Sequence, residues 1–268
     1  MLPRLISLCF LATLLSLLIT VGGCRRSKDN HVLRIGVSPV PHGEILEQVV
    51  APLEKRGIHV KIVSFDDYIQ PNMALASGEL DANFYQHAPF MQQFNRDHGT
   101  HFVAVTRIFI APLAIYAGRT KSLASLPMNA TIAIPNDPVN GGRALLLLQS
   151  AGLLKVNSHP IDPPTMQDIT DNPKHIQIRE LESAQVVRVL PDVDLAVINT
   201  NYALPAGLNP AKDSLFRETP DSPYVNVLAV NSGRENDAAI RAVAEELNTP
   251  AMRKFIQEKY QGALVAAF

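Results

Sequence analysis

Beyond residue 24 the 268-residue sequence contains no cysteine. Both of its cysteines, Cys9 and Cys24, fall in the opening stretch, so the body has no thiol for a disulfide, a zinc site or a nucleophile. An extracellular chain of this size can do without disulfides when its core is large enough. Charge of either sign is also scarce: the formal net charge is −1, no long charged block occurs, and aromatics make up only 6% of residues. That balance argues against a nucleic-acid surface. Internal repeats and low-complexity tracts are missing, as is any apolar stretch of membrane-spanning length after the first 21 residues. The dinucleotide Gly-x-Gly-x-x-Gly, the phosphate loop, the Gly-x-Ser-x-Gly elbow and His-Glu-x-x-His are all absent, which counts against the enzyme classes those motifs serve. His98 and His101 have helical spacing, but Gly99 between them argues against a metal site.

What is present begins at the amino terminus. Arg4 precedes an apolar run over residues 5–21, interrupted by Ser7, Thr13, Ser16 and Thr20, in the pattern of a secretory leader. Val21-Gly22-Gly23-Cys24 places two small residues before a cysteine and looks like a lipobox, with Val where Leu is more usual. In this reading residues 1–23 are a signal peptide and Cys24 is acylated. An ordinary signal peptide with an incidental cysteine is the alternative. Residues 24–31 then form a short polar tether.

Strand-like and helix-like patterns alternate through the remaining residues, about 240, enough for two domains. Strands are expected over 32–37, 59–65, 80–84, 102–108, 113–117, 131–134, 176–181, 194–198 and 224–230. Helices are expected over 45–53, 71–77, 89–96, 143–150, 235–247 and 250–260. Such alternation predicts α/β layers with mostly parallel sheets, in two lobes. Ligands of open α/β sheets sit at the carboxyl ends of strands.

The loops at those ends carry the candidates. In Phe65-Asp66-Asp67-Tyr68, one aspartate is a plausible helix cap and Tyr68 faces the expected cleft. The stretch from Asp81 to Phe90 gathers Phe84, Tyr85, His87 and Phe90, with His87 either structural or part of a ligand pocket and lacking a nucleophile beside it. Pro135-Asn136-Asp137-Pro138 opens a helix that bears Arg143 near its start. A cation there is locally unfavourable unless an anion is bound, which the backbone N–H groups would accept and the guanidinium could grip bidentately. The alternative is an arginine turned to solvent. Asn199 follows an apolar strand, and Asn226 is an amide within a β-branched one, where it needs partners.

Taken together, VSPVPHGEIL, FDDY, SGELDANFYQHAPF, IPNDPVNGGRALLLLQ, LAVINTNYA and SPYVNV, in that order, resemble the methionine-binding lipoproteins of ABC importers, the NlpA/MetQ family of substrate-binding proteins. The resemblance runs from Val32 to the end of the chain. It implies a two-lobed Venus-flytrap fold of the type II periplasmic-binding-protein kind, with lobe I from residues 31–117 plus 225–268 and lobe II from 118–224. It further implies that Tyr68, Phe84, His87 and Phe90 line the thioether side of a methionine pocket, in keeping with the affinity of sulfur for aromatic rings. Arg143 would hold the carboxylate with Asn136 close by, and Asn199 and Asn226 would fix the amino and carboxylate groups. Family members commonly carry Tyr where this chain has Phe90.

The implied protein is a monomer that binds without catalysis or cofactor and delivers methionine to an ABC permease and its ATPase. It would sit on the extracytoplasmic face of the cell membrane. Arg25 leaves outer-membrane sorting open in a Gram-negative source. Other readings are a binder of a different amino acid or a methionyl dipeptide, and a surface interaction lipoprotein that has lost transport.

Overall fold

The computed structural model describes residues 32–157 and 162–268. The leader, Cys24 and the tether lie outside the described residues. In chain order the strands are β1 (Val32–Val37), β2 (His59–Ser64), β3 (Ala82–His87), β4 (Phe102–Ile110), β5 (Ala114–Ala117), β6 (Thr131–Pro135), β7 (Lys155–Val156), β8 (Ile169–Asp171), β9 (Gln177–Leu181), β10 (Leu195–Ile198), β11 (Ser214–Arg217), β12 (Val225–Asn231) and β13 (Val265–Ala266). The α-helices are α1 (Glu44–Lys55), α2 (Gln70–Ala76), α3 (Ala88–His98), α4 (Pro138–Ser150), α5 (Ser183–Val186), α6 (Thr200–Ala203), α7 (Ala238–Leu247) and α8 (Pro250–Tyr260).

Two main sheets result. The first runs β13-β4-β12-β3-β1-β2 and the second β11-β5-β10-β6-β9. Side chains alternate across each strand, so both faces of a sheet can be covered. In the first sheet Leu33, Ile35, Phe84, Leu228 and Val230 pack under α1, α7 and α8. Tyr85, Val227 and Ala229, on the opposite face, pack with Leu75 of α2 and Phe90, Met91 and Phe94 of α3. The second sheet repeats the scheme: Ile115, Ile132, Ile134, Leu195 and Val197 meet the Leu145 and Leu148 side of α4, and Tyr116, Ala133, Ala196 and Ile198 meet Val186 and Ala203.

Neither sheet is mostly parallel, contrary to the expectation from βα alternation. β1 is parallel to β2 and β3, but β12 runs antiparallel between β3 and β4. Likewise β10 is parallel to β6 and antiparallel to β5. β5 and β12 follow the two passages between sheets: a chain that crosses to the other lobe and returns re-enters from the cleft side, against the direction of the parallel strands, and β13 at the end of the chain adds a further antiparallel pairing with β4.

The first passage also lies earlier than residue 117. β5 pairs with β10 from Leu195↔Ala117 to Ile198↔Ala114, so residues 114–117 belong to the second sheet and the crossover is Ala111-Pro112-Leu113. Four residues of strand pattern say nothing about which sheet will take them; here the free edge of β10 does. The return passage runs from the end of β11 at Arg217 to the start of β12 at Val225.

Three helices that border or close the lobes begin alike, with a side-chain cap followed by proline. His87 Nδ1 accepts from the Phe90 N–H, Asp137 from Asn140, and Thr249 from Met252. Pro89, Pro138 and Pro250 sit in first turns, where a missing N–H has no partner to lose. Gly99, at φ 64°, ends α3 in the left-handed conformation. No helix among the described residues is long and apolar enough to cross a membrane.

Candidate functional site

The carboxyl ends of β3 and β10 and the start of β12 converge between the sheets on a small cavity of about 30 Å³. Tyr68, Tyr85, Gln86, His87 and Phe90 line it from the first lobe together with His42 and Asn226. Asn140, Arg143, Asn199, Thr200 and Asn201 line it from the second, and Ala111 lines it from the crossover.

Six of the eight residues expected at the site are therefore brought together: Tyr68, His87, Phe90, Arg143, Asn199 and Asn226. Phe84 and Asn136 are not. Phe84 is fully buried one layer behind, its ring 4.9 Å from that of His42 and 5.8 Å from that of Phe109. Strand alternation turns it toward the core under α1. Asn136 is exposed, just before the cap of α4, and only its backbone N–H is engaged, by the Leu181 carbonyl at 2.8 Å. The amide that enters the cavity is Asn140, one turn further on.

Asn140 is set by Asp137. The Asp137 carboxylate caps α4 by accepting from the Asn140 backbone N–H at 2.9 Å and also accepts from Asn140 Nδ2 at 3.0 Å. That orientation turns Asn140 Oδ1 toward two donors, His87 Nε2 at 3.2 Å and Asn199 Nδ2 at 3.0 Å. Since an amide oxygen only accepts, His87 carries its proton on Nε2. Its Nδ1 accepts from the Phe90 N–H at 3.1 Å, so a neutral ring satisfies both contacts. Burial and then the Arg143 charge hold the His87 pKa down to about 3, against the raising effect of Asn140. Burial also raises the Asp137 carboxyl, opposed by its hydrogen bonds to Asn140 and Ser183.

A second neutral histidine faces the same space. His42 Nε2 donates to Asn226 Oδ1 at 2.9 Å, and burial lowers its pKa to about 4. Its Nδ1 is then an acceptor with no partner among the described residues, as is Asn199 Oδ1. Asn226 lies in β12 opposite His87 in β3, which explains how a strand amide acquires a polar setting.

Arg143 is 3% exposed and does not turn to solvent. A bidentate grip on a ligand is not available to it along the edge, because Glu218 occupies that edge: Nε donates to Oε1 at 2.7 Å and Nη2 to Oε2 at 2.5 Å. Nη2 donates again to the Ala111 carbonyl at 3.0 Å, and Cζ lies 4.1 Å from the centre of the Tyr224 ring. Nη1 alone has no hydrogen-bond partner among the described residues. Glu218 also accepts from the Leu113 N–H at 2.9 Å, so this ion pair ties both crossovers to the cavity.

Contacts across the mouth join the lobes directly. Tyr68 donates through its hydroxyl to Asn201 Oδ1 at 2.6 Å, and Tyr202 donates to the Asp66 carbonyl at 2.9 Å. Their two rings are 5.3 Å apart. Asp67 holds this loop by accepting from the Ile69 and Gln70 N–H groups at 2.7 and 2.8 Å, while the cap position of α2 itself is Ile69, so neither aspartate is the N-cap.

Sequence reasoning missed His42, Gln86, Asn140, Thr200 and Asn201, and noted Tyr85 without assigning it to the pocket. Asn140 had a signal: a polar side chain in the first turn of a helix, flanked by Val139, Gly141 and Gly142. His42 had none, because it precedes α1 in an irregular turn and its partner is 184 residues away.

A family model described as NlpA lipoprotein matches residues 33–268. Lipoprotein 28 of Escherichia coli (strain K12) is 41% identical over 259 residues, spanning 95% of each chain. The D-methionine-binding lipoprotein MetQ of Escherichia coli (strain K12) is 38% identical over 256 residues, spanning 94% of each chain. Among solved structures, a nutrient binding protein from Burkholderia cenocepacia bound to methionine is 41% identical, with a TM-score of 0.84 over 88% of this chain and 100% of that one. With a matching family model over nearly all of its two-lobed α/β body and relatives this similar along their whole length, the chain belongs to the NlpA lipoprotein family.

Proposed function

We propose that the protein binds methionine between its lobes and delivers it to a membrane permease driven by an ATPase, held near that permease by lipid on Cys24. The observation that carries this reading is the complement of free polar groups around the cavity. Among the described residues, Arg143 Nη1 is a cationic donor without a hydrogen-bond partner, and His42 Nδ1 and Asn199 Oδ1 are unpaired acceptors. A carboxylate suits the first and an ammonium the other two, which describes a zwitterionic amino acid. With both histidines neutral, no second cation competes for the carboxylate. Tyr68, Tyr85 and Phe90 supply an aromatic wall suited to a thioether.

Binding without catalysis fits these groups: no nucleophile accompanies His87, and His87 and His42 are both engaged through Nε2 by amides. The family relatives named for methionine binding support the choice of ligand. The lipid anchor and the extracytoplasmic location are read from the leader and Cys24. Lobe closure would then present a surface made only when ligand is held.

Calorimetry with D- and L-methionine tests this. Micromolar or tighter binding by wild type is expected. Asn199→Ala should weaken it by about 1–3 kcal/mol through loss of an ammonium partner. Mass spectrometry of ligand released from native protein provides the second check. A different amino acid or a methionyl dipeptide in that fraction would redirect the assignment, and no small ligand at all would favour a surface interaction protein.

A further inference from the structure

Two pockets meet at Arg143. One is the interlobe cavity. The other opens on the far side of the return crossover, has a volume of about 260 Å³, and is lined by Leu146, Leu147, Phe216, Arg217 and Glu218 together with Tyr224. Tyr224 does not line the interlobe cavity, yet it touches two residues that do. Its ring lies 4.1 Å from Arg143 Cζ and meets the His87 ring at 5.1 Å with a 69° interplanar angle. The wall between the two spaces is thus one layer of side chains, built on the Arg143 guanidinium and the tyrosine ring stacked on it.

We infer that Tyr224 is a specificity-determining residue: it closes the carboxylate end of the cavity, restricts the ligand to a single amino acid, and excludes ligands extended at the carboxyl end. This rests on the amino-acid-binding reading above. The guanidinium cannot swing aside to admit a longer ligand, because Glu218 and the Ala111 carbonyl hold its edge and Tyr224 covers its face. A carboxylate on Nη1 lies next to that ring, so a further residue attached there would have to pass through the ring's position. The space beyond could receive such an extension. It has apolar side chains in Leu146, Leu147 and Phe216 and a cation in Arg217, alongside Asp221. What separates one ligand class from the other is therefore the ring of Tyr224 and not a lack of room behind it. Because Tyr224 stacks on the guanidinium that takes the carboxylate, the restriction is directional.

The test is calorimetry of the mature protein with methionine, methionylglycine and glycylmethionine, for wild type, Tyr224→Phe and Tyr224→Ala. Wild type and Tyr224→Phe should prefer methionine to methionylglycine by about 100-fold or more, the scale of discrimination a fitted pocket provides. In Tyr224→Ala that ratio should narrow by about tenfold or more, while the ratio of methionine to glycylmethionine stays as in wild type. Tyr224→Leu, which keeps apolar bulk but no ring, serves if the alanine variant fails to fold and should narrow the ratio in the same direction. An unchanged ratio in variants that still bind methionine overturns the inference alone. So does wild type that binds methionylglycine as tightly as methionine, or an equal gain for glycylmethionine. Wild type that binds no amino acid overturns the amino-acid reading first, a result visible before any variant is made.

Discussion

Acid should destabilise the apo protein through two histidines that stay neutral in the fold. Imidazoles of unfolded chains titrate near the ordinary 6.5, whereas burial holds His87 down to about 3 and His42 to about 4. Between about pH 6.5 and about pH 4 the unfolded chain binds these two protons and the folded chain does not. Stability therefore rises with pH across that window and is lost as pH falls through it. Going from about pH 7 to about pH 5 takes each unfolded imidazole roughly 1.5 pH units below its ordinary value. At about 1.4 kcal/mol per unit, each contributes about 2 kcal/mol and the pair about 4 kcal/mol. Asp137 acts in the opposite sense, because its folded carboxyl is raised and takes a proton before the unfolded one does, so it offsets part of the loss toward the acid end. Urea unfolding of ligand-free protein at several pH values, followed by circular dichroism, measures the sum. The His87→Gln variant isolates one contribution: its slope in the window should fall by about one proton. A His87→Gln profile parallel to wild type, displaced only by a constant, would refute the reasoning, because His87 would then be titrating alike in both states.

Three further outcomes are expected. Tyr202→Phe removes the hydrogen bond to the Asp66 carbonyl across the mouth without touching the cavity lining. A net hydrogen bond of about 0.5–1.5 kcal/mol should appear as a two- to roughly tenfold faster methionine dissociation in stopped-flow fluorescence, with little change in association. Gly142→Ala would put a Cβ 2.6 Å from Pro163 Cβ and 2.7 Å from the Pro164 carbonyl, so thermal melts should show about 1–3 kcal/mol of destabilisation. On the proposed function, a Cys24→Ser protein should bind methionine as wild type does yet support cellular uptake poorly, since a lipid tether would raise the local concentration of binder at its permease. Normal radiolabelled uptake by that variant would make the tether dispensable.

Much of this protein was legible from residue order. The expected leader and its cysteine rest on local patterns and lie outside the described residues. The alternation of strand and helix follows from hydrophobic period, and α1, α3, α4 and α8 all fall where periodicity and proline placed them, with boundaries shifted by a few residues at most. Residues at strand ends also pointed to the correct loops, because parallel β1, β3, β6 and β10 direct their carboxyl ends into one cleft.

Other features depended on tertiary structure. Local pattern assigned residues 114–117 to a strand but not to a sheet, since pairing is settled by which edge is free. Period-2 alternation along β3 sent Phe84 to the core while Tyr85 and His87 reached the cavity, and a one-residue change in register would have reversed them. Arg143 could be read as a cation near a helix start, but not as one whose edge is already occupied, because Glu218 is 75 residues away. The free acceptor on His42 likewise exists only because Asn226, 184 residues later, takes its other nitrogen. Sequence alone determined what kinds of group this chain carries to the cleft. Folding decided which of their atoms remain unpaired there, since a hydrogen bond between distant residues consumes a donor and an acceptor that no local pattern records.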